Sequence, residues 1–214
     1  SDYLLVRVKL FALLFGIATP AWIPLDTMLL PSHSWIPMAG LRVITGAAFL
    51  LLAWLGTRRR SLRRARFALC ALVAIPALFY MGSRLILGPQ DLEGAMIGYR
   101  FLPFVLIAGG AIFPLALAEG IGIMVPVYAA VLVVYLTFGE LLELRSLGTL
   151  WLMALLSGIA LWAQSAQLYM LLGLYRQATL DPLTGLFNRR ALFRQLRTEL
   201  GRSQRYDRPV SVLL

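Results

Sequence analysis

The sequence predicts an all-α membrane protein: a six-helix transmembrane bundle whose long sixth helix continues into a cytoplasmic stalk, then the truncated start of an α/β domain. Three observations predict it. Of 214 residues, 60% are apolar and 14% charged, with a mean hydropathy of +0.79; a soluble domain runs at about 45–50% and about 25%. The apolar residues form long continuous runs instead of the alternating ten-residue pieces of a membrane β-barrel, so helices are the crossing elements. Arginines collect at two places, with no acid in the first. This composition excludes an ordinary soluble enzyme, a disordered chain and a disulfide scaffold, and the single cysteine, Cys70, allows no intrachain bridge. The chain opens on Ser1, which leads us to expect further residues upstream.

Six runs are long enough to be spans: about Leu4 to Ile23, Leu41 to Leu55, Phe67 to Leu87, Ile97 to Ala118, Ile121 to Phe138 and Leu147 to Tyr175. No small-residue cleavage site follows the first, so it reads as a span and not as a removed leader. Arg58, Arg59, Arg60, Arg63, Arg64 and Arg66 lie between spans two and three. Arg176, Arg189, Arg190, Arg194, Arg197, Arg202, Arg205 and Arg208 follow span six. The positive-inside rule places both clusters and both termini in the cytoplasm, in agreement with an even number of spans. A net charge of +10 located this way signals topology and attraction to anionic membrane lipid. It does not signal nucleic acid, whose basic groove and interleaved aromatics are absent.

Candidate sensing residues fall at the outer side and near span ends. The first outer loop, Pro24 to Ala39, holds Asp26, His33 and Trp35, with Trp22 just before it. Tryptophan at this depth anchors a helix at the lipid boundary or contributes to a ligand vestibule. His33, the only histidine, reads as a solvated loop residue, and no metal site is expected from one imidazole. Arg84 ends span three and Arg100 begins span four, with Asp91 and Glu93 on the loop between them. Two readings stay open: snorkelling with a loop-level ion pair, or a small anionic or lipid-headgroup site. Glu119, at the turn between spans four and five, reads as a solvated acid or a partner of the arginine loop. Pro76, Pro103, Pro114 and Pro126 lie within spans three to five and should kink them, as packing features or around a ligand cavity.

Span six is too long for the bilayer. Its 29 proline-free residues make about 43 Å of helix against a hydrocarbon core of about 30 Å. Leu161, Ser165, Leu168, Leu172 and Tyr175 follow the 4-3 spacing of a coiled-coil seam, and Ala154 with Gly158 suits close helix contact. A homodimer with a shared stalk is one reading, a single extended helix the other. Beyond it lies Asp181-Pro182-Leu183-Thr184-Gly185-Leu186-Phe187-Asn188-Arg189-Arg190. Asp181 can cap a helix start and Gly185 suits a turn. Leu192, Phe193, Leu196 and Leu200 then repeat at helical spacing. After Arg208-Pro209, residues Val210 to Leu214 read as a buried strand.

The segment Asp181 to Arg190 resembles the opening D-x-L-T-G-L-x-N-R-R of GGDEF domains, the diguanylate cyclases, and the likeness extends over residues 178–214. The rest resembles, in architecture only, the six-span sensor regions that precede such cyclases in bacterial inner membranes. The resemblance implies residues 1–159 as a transmembrane sensor bundle, 160–180 as the end of the sixth helix and a signalling stalk, and 181–214 as the first piece of a GGDEF domain. It further implies a homodimer that joins two GTP into cyclic di-GMP with Mg2+ or Mn2+. The family's catalytic, metal-binding and guanine-binding residues come after Leu214. Only the opening motif is carried over: Asp181, Leu183, Thr184, Gly185, Leu186, Asn188, Arg189 and Arg190 would join stalk to domain. A receptor or scaffold with a degenerate, non-cyclising GGDEF domain is the second reading, and a transporter the third. The signal, a small molecule or lipid, is not named by the sequence.

Overall fold

The computed structural model describes residues 2–31, 33–55, 62–88 and 97–207, with Pro209 and Ser211. Its elements are helices: α1 (Asp2–Ala21), α2 (Ile23–Leu29), α3 (Trp35–Leu55), α4 (Leu62–Leu87), α5 (Ile97–Gly110), α6 (Leu117–Phe138), α7 (Leu144–Thr179) and α8 (Arg189–Tyr206). Five stretches of the described residues are helical, long and apolar enough to cross a membrane: Leu4–Leu29, Trp35–Leu55, Arg63–Leu87, Leu117–Phe138 and Leu144–Thr179. Large apolar side chains such as Ile17, Ile44, Leu136, Trp151 and Trp162 stand exposed on them. This is the outer surface of a protein whose solvent is lipid.

The chain divides into two compact units, Ser1–Ser165 and Ala166–Leu214. In the first, α4 is the hub and packs against α1, α3, α5 and α6, while α1 lies along α3. A Cβ at Gly46 of α3 would strike the Pro20 ring of α1 and reach 3.0 Å from the Gly16 carbonyl. Small residues at such crossings let backbones approach without a hydrophobic drive between helices. Val8, Phe49, Ile107, Val131 and Met153 form part of the shared core. From α7, Met153, Ser157, Ala160 and Gln164 face inward at helical spacing.

Several expected boundaries are corrected. The fourth run is not one span to Ala118: α5 ends at Gly110 after 14 residues, about 21 Å of helix. Residues 111–116 are non-helical, and α6 starts at Leu117. Pro114 therefore sits in this break and kinks no helix, whereas Pro76, Pro103 and Pro126 are inside helices. Glu119 belongs to the first turn of α6 and not to a turn between spans. The segment Pro24 to Ala39, expected as an outer loop, is largely helical, since α2 and the first turns of α3 occupy it. The expected strand from Val210 to Leu214 lies outside the described residues save for Ser211, which is in no element. Arg58, Arg59, Arg60, Asp91, Glu93 and Arg208 also lie outside them.

Candidate sensing and output sites

The helical start of α3 turns Arg42 inward, and the short helix α2, opened by Pro24 in its first turn, brings Asp26 to it. Asp26 is 1% exposed and Arg42 7%. The guanidinium holds the carboxylate in a bidentate pair, from Nε to Oδ2 and from Nη2 to Oδ1. Tyr99, in the first turn of α5, closes the triangle. Its hydroxyl accepts from Arg42 Nη2 at 2.5 Å and donates to Asp26 Oδ1 at 2.7 Å. The Arg42 guanidinium also stands 5.2 Å from the Phe79 ring centre and 5.6 Å from that of Tyr99. Charges at such a depth persist only when paired and hydrogen-bonded, and here both conditions hold. The network pins α2, α3 and the distant α5 at one point.

Asp26 was expected as an outer-loop acid; it is instead a buried partner. Arg42 was not singled out, because a span starting at Leu41 leaves it at an edge. An arginine inside a helix that starts earlier, preceded by an aspartate, was the available signal. Trp35 is the first residue of α3, half-buried beside Met38 and Phe79, and His33 is exposed.

A second buried pair joins α4 to the end of α6. Arg84, 4% exposed, faces Glu140 at 3.6 Å and lies 5.8 Å from the Phe138 ring centre. Arg84 thus does not snorkel to water. Arg100 is half-buried in the first turn of α5, and the grouping of both arginines with Asp91 and Glu93 falls outside the described residues. Glu119 accepts from Arg66 Nε at 2.7 Å, tying α6 to the first turns of α4.

The break after α5 has a specific construction. Among buried apolar neighbours such as Phe113 and Leu115, its carbonyls need partners, because irregular backbone at this depth is costly unless satisfied. Gln164 Nε2 of α7 donates to the Gly110 carbonyl at 2.9 Å, and Arg7 Nη1 of α1 donates to the Ile112 carbonyl at 2.8 Å. Gln164 is 1% exposed. A Cβ at Gly120 would collide with its Oε1 and with Leu161, so the glycine makes room for the amide. Leu161 accordingly packs on the bundle core. Leu168 is half-buried, Leu172 and Tyr175 are exposed, and Ala154 and Gly158 lie on an exposed face of α7. The sequence signal for the break was Gly109-Gly110 followed by Pro114, a helix stop.

In the second unit, the motif after α7 folds into a closed junction. Asp181 Oδ1 accepts from the Leu183 and Thr184 amides at 3.0 and 2.9 Å and from the Thr184 hydroxyl at 3.1 Å. These bonds hold the carboxyl below the usual aspartate range, the Thr184 amide contributing most. Gly185 takes φ +69°, a left-handed conformation open to glycine without strain. Leu180 and Phe187 pair across the loop. Asn188 then does two things. Its Oδ1 accepts from the Ala191 amide at 2.9 Å, capping α8, and its Nδ2 donates to the Ala178 carbonyl at 3.0 Å in the last turn of α7. The α8 cap is therefore Asn188; Asp181, expected as a helix cap, closes the loop instead. Leu183 and Leu186 project outward, and Arg189 and Arg190 open α8 on its exposed side.

Among the described residues, no three His, Cys, Asp or Glu side chains gather as a metal site. Compared with protein-family models, curated proteins and solved structures, the chain matches none.

Proposed function

We propose that this chain is the membrane sensor and output region of a diguanylate cyclase. In this reading a homodimer in a bacterial inner membrane, with both termini cytoplasmic, uses α7 to set how two GTP-loaded GGDEF domains face each other. The reading is carried by one observation: the ten-residue motif Asp181 to Arg190 directly follows a 36-residue helix that leaves an apolar bundle. Three of its positions have a local job that suits rigid coupling. Asp181 and Gly185 close the loop, and the Asn188 side chain touches both the end of α7 and the start of α8. Leu192, Phe193 and Leu200 of α8 are exposed; a following sheet would cover them.

With Leu161 inside the bundle, the dimer seam begins beyond it, at Ser165, Leu168, Leu172 and Tyr175. Switching by geometry asks little energy: about 1–3 kcal/mol of coupling changes an affinity roughly 5- to 150-fold. In this reading the residues that would hold GTP with Mg2+ or Mn2+ for phosphoryl transfer come after Leu214.

The test is synthesis of cyclic di-GMP from GTP and Mg2+ by the chain extended through the coding sequence that follows Leu214, reconstituted in nanodiscs. Product formation that falls when Asn188 is replaced by alanine is expected. Absence of turnover in every lipid composition overturns the cyclase reading, and cyclic di-GMP binding without turnover favours a receptor with a degenerate domain.

A further inference from the structure

The first unit encloses a cavity of about 290 Å3 between α1, α3, α4, α5 and the break that follows α5. Phe11, Phe15, Phe49, Phe79 and Phe113 supply five rings to its wall, and Arg42 supplies the polar end. The rings pack in tilted pairs, Phe11 with Phe113 at 5.7 Å and 56° and Phe15 with Phe49 at 5.7 Å and 33°, the offset packing that aromatic rings favour. Pro76 of α4 lies in the same wall, where it removes one backbone donor from the helix.

Charge decides what such a cavity accepts. Asp26 already neutralises Arg42. A carboxylate or phosphate ligand would bring a second negative charge to a pair balanced in a low-dielectric setting, and would have to displace Asp26 to be paired. A cation has no free acid to meet there. Among the described residues the bonds of Arg42 leave from Nε and Nη2, so the hydrogens of Nη1 are the donors a ligand acceptor would use.

We infer that this cavity is a binding site for a neutral, flat, ring-bearing lipophile carrying a carbonyl acceptor, the chemistry of a membrane quinone, with its ring among the phenylalanines and its carbonyl toward Arg42. One wall is the end of α5 and the break after it, where Gly109, Gly110, Ile112 and Phe113 line the cavity. Gln164 of α7 holds the Gly110 carbonyl of that wall. A ligand that displaces the wall acts directly on α7. Binding stands on the cavity alone, while its use as a signal rests on the reading of α7 as the output helix.

The experiment measures menadione binding to the chain in nanodiscs by equilibrium dialysis, with empty nanodiscs as the partition control and no nucleotide present, so that it reads the site independently of any cyclase activity. A leucine at Gly109 fills the cavity, and the Cβ there meets no atom within 4 Å. Gly148 of α7, equally open, lines no part of it. Saturable binding is expected in the parent and in Gly148→Leu, weakened at least tenfold in Gly109→Leu and in Val105→Phe, which obstructs the cavity from its exposed edge. Palmitate is expected not to compete. Unsaturable partition, equal binding by both filled variants, or displacement by palmitate overturns the inference.

Discussion

Asp26 and Asp181 are two aspartates that each organise a junction, and they work under opposite conditions. Asp26 is buried, and its partners Arg42 and Tyr99 are 16 and 73 residues away. Asp181 is only half-buried, and its donors lie two and three residues ahead. In the bundle the carboxylate's stability depends on long-range packing that delivers a guanidinium to it. In the junction it depends on a turn that the local chain makes for itself. The first network therefore holds tertiary structure together, and the second fixes the angle between consecutive helices.

The strongest way to break this contrast is Arg42→Met. It leaves the Asp26 carboxylate buried without a counter-charge and should destabilise the first unit by about 3–5 kcal/mol, read as thermal unfolding in detergent. Adding Asp26→Leu should recover most of that loss, because paired apolar replacements of a buried ion pair are close to neutral. A single variant that melts with the parent would mean the pair is solvated. A smaller effect is expected at the contact between α6 and α7. Gly120→Val drives a side chain into Gln164 and Leu161, and overpacking of this kind costs about 1–3 kcal/mol. Combining it with Gln164→Ala should give clear non-additivity in a double-mutant cycle. Additive losses would show that the two residues do not share a space.

The same contrast explains what the sequence could disclose. Helix type and approximate place were legible wherever an apolar run was long, as in α4, α6 and α7, because hydrocarbon permits little else. The turn at Gly185 was legible too, since it acts through neighbours a few residues away, whereas the cap of α8 proved to be Asn188 and not Asp181. The break after α5 was misread because apolar residues continue through it. Its satisfaction comes from Arg7 and Gln164, 105 and 54 residues distant, and no window of sequence contains both ends of those bonds. Arg42 was passed over for the same reason. A charge near a span end looks like a topology marker until the partner that buries it is in view.

At the junction, effects shrink but become more specific. Asn188→Ala removes the cap of α8, worth about 1 kcal/mol, together with the bond to the Ala178 carbonyl. Hydrogen exchange should quicken at Ala191 and Leu192, while the melting of the first unit stays unchanged. If exchange were equally slow in the variant, Asn188 would not be the residue that couples the helices.

The smallest effect is the pH response of Asp181, and its sign follows from the geometry. The Thr184 amide, the Thr184 hydroxyl and the Leu183 amide all donate to the ionised carboxylate, so its folded pKa lies below the ordinary value of about 3.9. The unfolded loop binds the proton more readily than the folded one, and the turn is therefore favoured fully above that ordinary value. Its contribution is lost as the pH falls through the lower, folded value. Amide chemical shifts of Leu183 and Thr184 should stay constant at neutral pH and then move together with one midpoint below that of a free aspartate. The bonds of Asp181 are exposed, so the helices on either side should survive this titration. Asp181→Asn keeps an acceptor oxygen and should abolish the titration while preserving the turn. A midpoint at or above the ordinary value would mean that water, and not the loop, solvates this carboxylate.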